Sequence, residues 1–203
     1  MMSTDQPDPD APGNEGEDAN AQLFGTWSVD DIEYRDPSTE RYITVTPIAH
    51  TMGRHADKQF KKSEISIVER LINRLMQTDE NTGKKQMATQ ITRDAFEQIH
   101  SQTDENPIQI LVRAVENSAP REETVRLKYG GISVPKAVDV SPQRRVDQAL
   151  KFLGEGVLND SFKTEADASE ALARQLIGAA NNDVGTYAVN QKEEKERVAA
   201  AAR

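Results

Sequence analysis

The stretch REETVRLKYGGISVPKAVDVSPQRR, Arg121 to Arg145, interrupts a chain that otherwise reads as one amphipathic helix after another. Thr124, Arg126 and Lys128 alternate with Val125, Leu127 and Tyr129, the period-2 pattern of a strand. Gly130-Gly131 supplies the positive φ of a tight turn, and Ile132, Val134 and Val138 lead out along a second strand. The spacing predicts a β-hairpin at about 122–140. A lone two-stranded ribbon is only marginally stable in water, so one carrying Arg126, Lys128 and Lys136 on a helical body is expected to lie against another surface. Its charge points to phosphate.

Helix signals flank the hairpin on both sides. Upstream, Asn106 as N-cap with Pro107 at the first helical position opens a segment whose Ile108, Ile110, Leu111, Val112 and Val115 leave little polar surface, as a central helix requires. Before it, Lys84 to Ser101 is expected to turn Met87, Ile91, Ala95 and Ile99 inward, after a turn at Thr78 to Gly83. Earlier still, Ile65, Val68, Ile72 and Leu75 share a face, and Ser66 with Glu69 fits a capping box, although Ser63 is an equally usable cap. Downstream, Ser141-Pro142 repeats the cap-then-proline start, with Val146, Ala149, Leu150 and Leu153 inward up to Gly154 and Gly156. Thr164 to Ala180 forms a fifth helix, stopped by Asn181-Asn182-Asp183, and Asn190 to Arg203 a sixth with only Val198 and alanines as apolar residues. The expected fold is mainly α: a six-helix, bundle-like body with one inserted hairpin. There is no internal repeat.

Residues 1–20 are acidic and rich in Pro and Gly, a composition that cannot repay the entropy of ordering, and are expected to form a disordered tail. Residues 21–62, with sparse apolar positions such as Phe24, Trp27 and Ile43, suit an extended arm, and 63–203 a helical domain that carries the hairpin. The formal net charge is −9, but residues 1–40 hold eleven Asp/Glu against the single Arg35, a balance of −10, so the remainder is +1. Within that remainder, residues 54–74 carry six basic and three acidic residues and 121–151 seven and four, each +3. Such islands of cation in an acidic molecule leave little whole-molecule steering. The acidity also suits a cell of very high internal salt, a halophile signature.

Several function classes find no support. Cysteine is absent, which excludes thiol chemistry and disulfides and points to a reducing, cytoplasmic setting. No strongly apolar run exceeds Ile110-Leu111-Val112, so no membrane span or secretory signal is expected. His50, His55 and His100 lack zinc-ligand spacing, so no metal is expected. Gly83-Lys84-Lys85 fails as a phosphate loop because Thr78 and Lys85 stand where Gly and Ser or Thr belong. No nucleophile elbow, dinucleotide fingerprint or paired acid/base site appears, so neither an enzyme nor a cofactor is expected. What remains is the clustering of Arg121, Arg126, Lys128, Lys136, Arg144 and Arg145 on and beside the ribbon. Tyr129 at its tip is placed either to stack on a base or to pack back on the body. A helical protein-interaction module whose basic hairpin binds an acidic partner is the competing reading.

The segments GRHADKQF (53–60), IVERLINRLM (67–76), NTGKKQMA (81–88), NPIQILVRAVENSAPREE (106–123), YGGISVPKAVDVSPQRRVDQAL (129–150), AANNDVGTYAV (179–189) and KEEKERVAAAAR (192–203) resemble the archaeal form of the small-subunit ribosomal protein seven family. The resemblance runs from about Leu23 to the C-terminus and is most specific from Asn106 to Leu150. It implies a six-helix body with a hairpin, bound to the 3′ major domain of small-subunit ribosomal RNA, where it nucleates head assembly. It further implies that the hairpin lines the path of messenger RNA and exit-site transfer RNA, beside ribosomal proteins nine and eleven. Charge and resemblance together nominate Arg54, Lys58, Lys61, Lys62, Lys84, Lys85, Arg121, Arg126, Lys128, Tyr129, Lys136, Arg144, Arg145 and Lys151 as RNA contacts. The chain departs from the family pattern in its acidic tail and where Asp57, Gln59 and Glu64 dilute the first basic cluster.

Overall fold

The computed structural model describes residues 22–53, 55, 57–77 and 81–203. The predicted tail, Arg54 and the start of the predicted turn at Thr78 lie outside them. The described chain is mainly helical, with a short helix α1 (Pro37–Glu40), six longer ones and an antiparallel hairpin.

The central helix α4 (Pro107–Ser118) starts as its sequence dictates, the Asn106 Oδ1 accepting from the Ile108 amide at 3.0 Å and Pro107 filling the first turn. Ile108, Leu111, Val112 and Val115 are wholly buried, and α4 packs on α5 (Pro142–Ser161) and α6 (Ala168–Ala180). Helix α6 also meets α3 (Lys85–Thr103), while α7 (Tyr187–Ala201) lies along α5 and the hairpin base. Helix α2 (Ile67–Leu75) packs on α3 and α5.

Four local expectations are corrected. The Ser66–Glu69 capping box does not form: the Ser66 hydroxyl donates to the Thr46 carbonyl and the Glu69 carboxylate is used elsewhere, while the Ile67 amide donates to Thr44 O at 2.8 Å. The inward face of α3 is Ala88, Thr92, Ala95, Phe96 and Ile99, which leaves Met87 half exposed; Met87 sits one residue, about 100° of helix, off that stripe. Helix α5 does not stop at Gly154 or Gly156 but runs to Ser161. Those glycines serve close packing instead, since a Cβ at Gly154 would stand 3.0 Å from Arg74 Cγ and one at Gly156 2.8 Å from Gln175 Oε1. The fifth helix begins at Ala168 rather than Thr164, and the sixth at Tyr187 rather than Asn190.

The described residues between 22 and 60 hold a two-residue strand pair, β1 (Gln22–Leu23) with β2 (Trp27–Ser28), then α1, and otherwise irregular backbone that leads into a 3-10 turn at Lys61–Glu64. Leu23 and Ile43 plug into the helical core. Because this segment has few strand neighbours, helix side chains satisfy its peptide groups. Gln109 exchanges two bonds with the Glu33 backbone at 2.8 and 2.9 Å, and buried Glu116 accepts from the Arg35 and Asp36 amides. Asn106 donates to Ser28 O and Arg70 to Tyr42 O.

Candidate nucleic-acid interface

The hairpin is built from β3 (Glu122–Tyr129) and β4 (Ile132–Asp139), in register from Glu122↔Asp139 to Tyr129↔Ile132. Gly130 and Gly131 both have positive φ, +57° and +88°, as a two-residue turn matched to strand twist requires. In such a hairpin the closing pair, Tyr129↔Ile132, exchanges hydrogen bonds and alternate pairs do not. Pro135, opposite Arg126, therefore falls where its missing amide costs nothing. The same alternation turns the Ala137 amide outward, where it meets Ala202 O at 3.4 Å.

Register sorts the side chains into two faces. Arg126 and Lys128 stand with Thr124, Ser133 and Pro135 on one; Val125, Leu127, Tyr129, Ile132, Val134 and Lys136 stand on the other. Arg121, Arg126, Lys128 and Lys136 are all exposed, and none has an ion-pair partner among the described residues. Tyr129, 65% exposed at the tip, does not pack back on the body. The base is fastened instead: the Arg121 amide donates to Glu196 at 2.8 Å, Arg203 pairs with Glu122, and Glu123 accepts from Arg144 and Gln148. Burial raises the Glu123 carboxyl, but the bonds from Arg144 and Gln148 outweigh it and hold it below the usual carboxylate range.

A second cationic group lines a groove of about 380 Å³ between α2 and α5, with His55, Lys62, Arg70 and Arg74 on its walls and Asn73 and Gln77 beside them. Arg70 is nearly buried and donates to Asp147 Oδ1 at 2.9 Å; Lys62 pairs with the other oxygen of the same carboxylate. Nearby, Phe60 is 61% exposed with φ +64°, a conformation costly for a bulky side chain, between the exposed Lys58 and the partly exposed Lys61.

Of the other nominated residues, Lys84 is exposed without an ion-pair partner among the described residues. Lys85 gives its ammonium to buried Glu69 at 2.6 Å, and Lys151 makes an exposed pair with Glu155. Arg145 is the clearest correction. It is 7% exposed, and its guanidinium donates to Asp36 Oδ2 at 2.7 Å and to the Ser38 hydroxyl, so it ties α1 to α5 rather than reaching outward. Two cations in the first turn of α5 oppose the positive end of the helix dipole, and Glu123 and Asp36 offset that. Only Arg144, with 59% of its side chain exposed, keeps an open face. Sequence reasoning left Phe60 and Arg74 out of the nominated set; an aromatic inside KQFKK and an arginine one turn beyond Arg70 were the available signals.

Among the described residues, no group of three or more His, Asp or Glu is arranged to hold a metal ion, and no helix is long and apolar enough to cross a membrane. The histidines make local contacts, His50 accepting from the Met52 amide at 3.0 Å and His55 bonding Thr51 Oγ1 at 2.9 Å.

Comparison with known proteins accords with this arrangement. Residues 38–203 match the family model described as Ribosomal protein S7p/S5e. Over 206 residues and the full length of both chains, the sequence is 79% identical to the small ribosomal subunit protein uS7 of Haloarcula marismortui. It is 73% identical to that of Natronomonas pharaonis over 203 residues, again the whole of both chains. Identity falls to 53%, over 90% of this chain and all of the relative, for the uS7 of Methanothrix thermoacetophila. A body of helices with a projecting basic hairpin, matched over its whole length by haloarchaeal relatives, belongs to the ribosomal protein S7p/S5e family in its haloarchaeal form.

Proposed function

We propose that the chain is a non-enzymatic structural constituent of the small ribosomal subunit of the cytoplasmic ribosome that binds the 3′ major domain of small-subunit ribosomal RNA and helps to nucleate the head. The observation that carries this reading is the hairpin: a ribbon clamped at its base by α5 and α7, presenting Arg121, Arg126, Lys128 and Lys136 without internal partners. Cations already neutralised within the protein add little to phosphate binding, whereas unpaired ones release counterions. Lys58, Lys61 and Lys84 extend the surface from the body, with Lys62, Arg74, Lys85, Arg144 and Lys151 around it, and Phe60 and Tyr129 offer rings for unstacked bases. The tip would face messenger RNA and exit-site transfer RNA, and ribosomal proteins nine and eleven would be neighbours. An acidic protein as sole partner of the hairpin gives way, because family membership places the chain among ribosomal proteins.

The test is binding of a transcript of the 3′ major domain at matched potassium chloride, wild type against R126A/K128A. Both positions are exposed and lie on one face of the ribbon, so helicity by circular dichroism is expected to be unchanged while affinity falls about tenfold or more. Equal affinity of the two proteins would reject the hairpin as an RNA contact. Failure of the wild type to bind this transcript in preference to an unrelated RNA would reject the domain assignment.

A further inference from the structure

We propose that Asp147 is a specificity-determining residue of the groove between α2 and α5, a carboxylate that keeps the cations there neutralised against any RNA phosphate that cannot also engage the rest of the surface. The inference rests on the RNA-binding reading above and concerns how that surface discriminates.

Among the described residues, Asp147 is the one carboxylate lining the groove, and the other charged lining is cationic: Lys62, Arg70 and Arg74, with His55 beside them. Both of its oxygens are committed, Oδ1 to Arg70 at 2.9 Å and Oδ2 to Lys62. The two partners differ in freedom. Arg70, whose side chain is 6% exposed, is also anchored to the Tyr42 carbonyl at 2.9 Å and cannot swing out. Lys62, 48% exposed on a flexible stem, can reach solvent, but only by leaving Asp147. Asp147 itself is 31% exposed, so its charge faces whatever enters.

A phosphate entering this groove alone meets a carboxylate and gains a lysine only by breaking an existing ion pair, so the exchange is close to neutral. An RNA whose shape also engages the unpartnered Arg126 and Lys128 of the hairpin does not depend on that exchange. Asp147 therefore removes affinity selectively from poorly fitting RNA, the repulsive element that specificity requires alongside attraction.

The experiment compares D147N with wild type on the 3′ major domain transcript and on an unrelated RNA duplex, across a potassium chloride series. Asparagine keeps an oxygen for Arg70 and removes the charge. Affinity for the unrelated duplex is expected to rise roughly three- to fivefold, the scale of one partly exposed ion pair, with the salt dependence steepening by about 0.7–0.9 per added phosphate contact. Affinity for the 3′ domain should change less than about twofold on the same reasoning, because its contacts are distributed over the surface. No change, a loss, or an equal rise for both RNAs would overturn the proposal. K62M gives an independent arm should D147N fold poorly: with one partner gone the Asp147 charge faces the groove less neutralised, so affinity for the unrelated duplex should fall several-fold while that for the 3′ domain falls less than about twofold, and an equal fall for both RNAs, or none, would overturn the proposal. Wild-type protein that does not prefer the 3′ domain would reject the RNA reading itself; wild type that prefers it, with D147N behaving identically, would reject only the role of Asp147.

Discussion

Arg144 and Arg145 are neighbours in sequence and do opposite jobs. Arg145 sits in the seam between α1 and α5 with its charge matched by Asp36; Arg144 lies on the surface against Glu123. Removing one partner of a buried pair leaves the other charge stranded, so Arg145→Ala is expected to cost about 2–4 kcal/mol. Arg144→Ala should cost less than about 1 kcal/mol and show its effect in RNA affinity instead. Thermal melts of the two single variants decide this, and equal midpoints would refute the clamp. Glu69 makes a second residue-scale case. Burial raises its carboxyl, yet the hydrogen bonds from Lys85 and Thr51 prevail and hold it below the ordinary range. A carboxyl whose folded value is depressed adds stability above the unfolded value, about 4.3, and loses that contribution as pH falls through the lower folded value. Urea melts from neutral to acid pH should therefore lose stability in that window, and Glu69→Gln should flatten the fall relative to wild type. An unchanged acid limb would mean that Glu69 does not contribute to it.

The hairpin can be shortened without losing its logic, because its register has period two. Replacing Lys128–Ser133 by Asn-Gly would make Leu127↔Val134, a hydrogen-bonded pair in the same alternation as Tyr129↔Ile132, the new closing pair. Arg126 and Lys136 keep their faces, and the base contacts to Glu196 and Arg144 are untouched. Such a variant is expected to enter small subunits, measured by gradient sedimentation and mass spectrometry, and to perturb frame maintenance in a reporter. Failure to assemble would mean that the tip itself anchors the protein. The hairpin and the cap-then-proline helix starts at Asn106 and Ser141 were legible because their signals are local: alternation, a Gly-Gly turn, a proline at the first helical position. What could not be read depended on distant partners. Arg145 is claimed by a carboxylate 109 positions upstream, Gly154 by Arg74 and Gly156 by α6, and none of these pairings leaves a mark in the local sequence. Met87 was assigned inward for a related reason, since Met87 and Phe96 are both apolar and only packing against α2, α4 and α6 decides which stripe faces in.

At the scale of the whole molecule, the structure reconciles a net charge of −9 with an RNA partner by separating two kinds of cation. Lys62, Arg70, Lys85 and Arg145 on the body are held by carboxylates; Lys58, Lys61 and Lys84, and the cations along the hairpin, have no such partner among the described residues. The acid excess lies at the other end of the chain. Residues 1–21 contain Asp5, Asp8, Asp10, Glu15, Glu17 and Asp18 and no Lys or Arg, so their removal takes the net charge from −9 to −3. That charge acts on RNA only through the general field, which salt screens within about 10 Å at 0.1 M and about 3 Å at 1 M. Deleting residues 2–21 is therefore expected to tighten binding of the 3′ domain transcript at low potassium chloride and to leave it unchanged at molar salt, where affinity rests on shape, hydrogen bonds and stacking. The thermal midpoint should not move, because a segment of this composition has too little apolar surface to extend the core. Binding isotherms at the two salt extremes, with melts alongside, make the comparison. A loss of affinity at molar salt, or a fall of several degrees in the midpoint, would show instead that the acidic segment docks on the body or on the RNA.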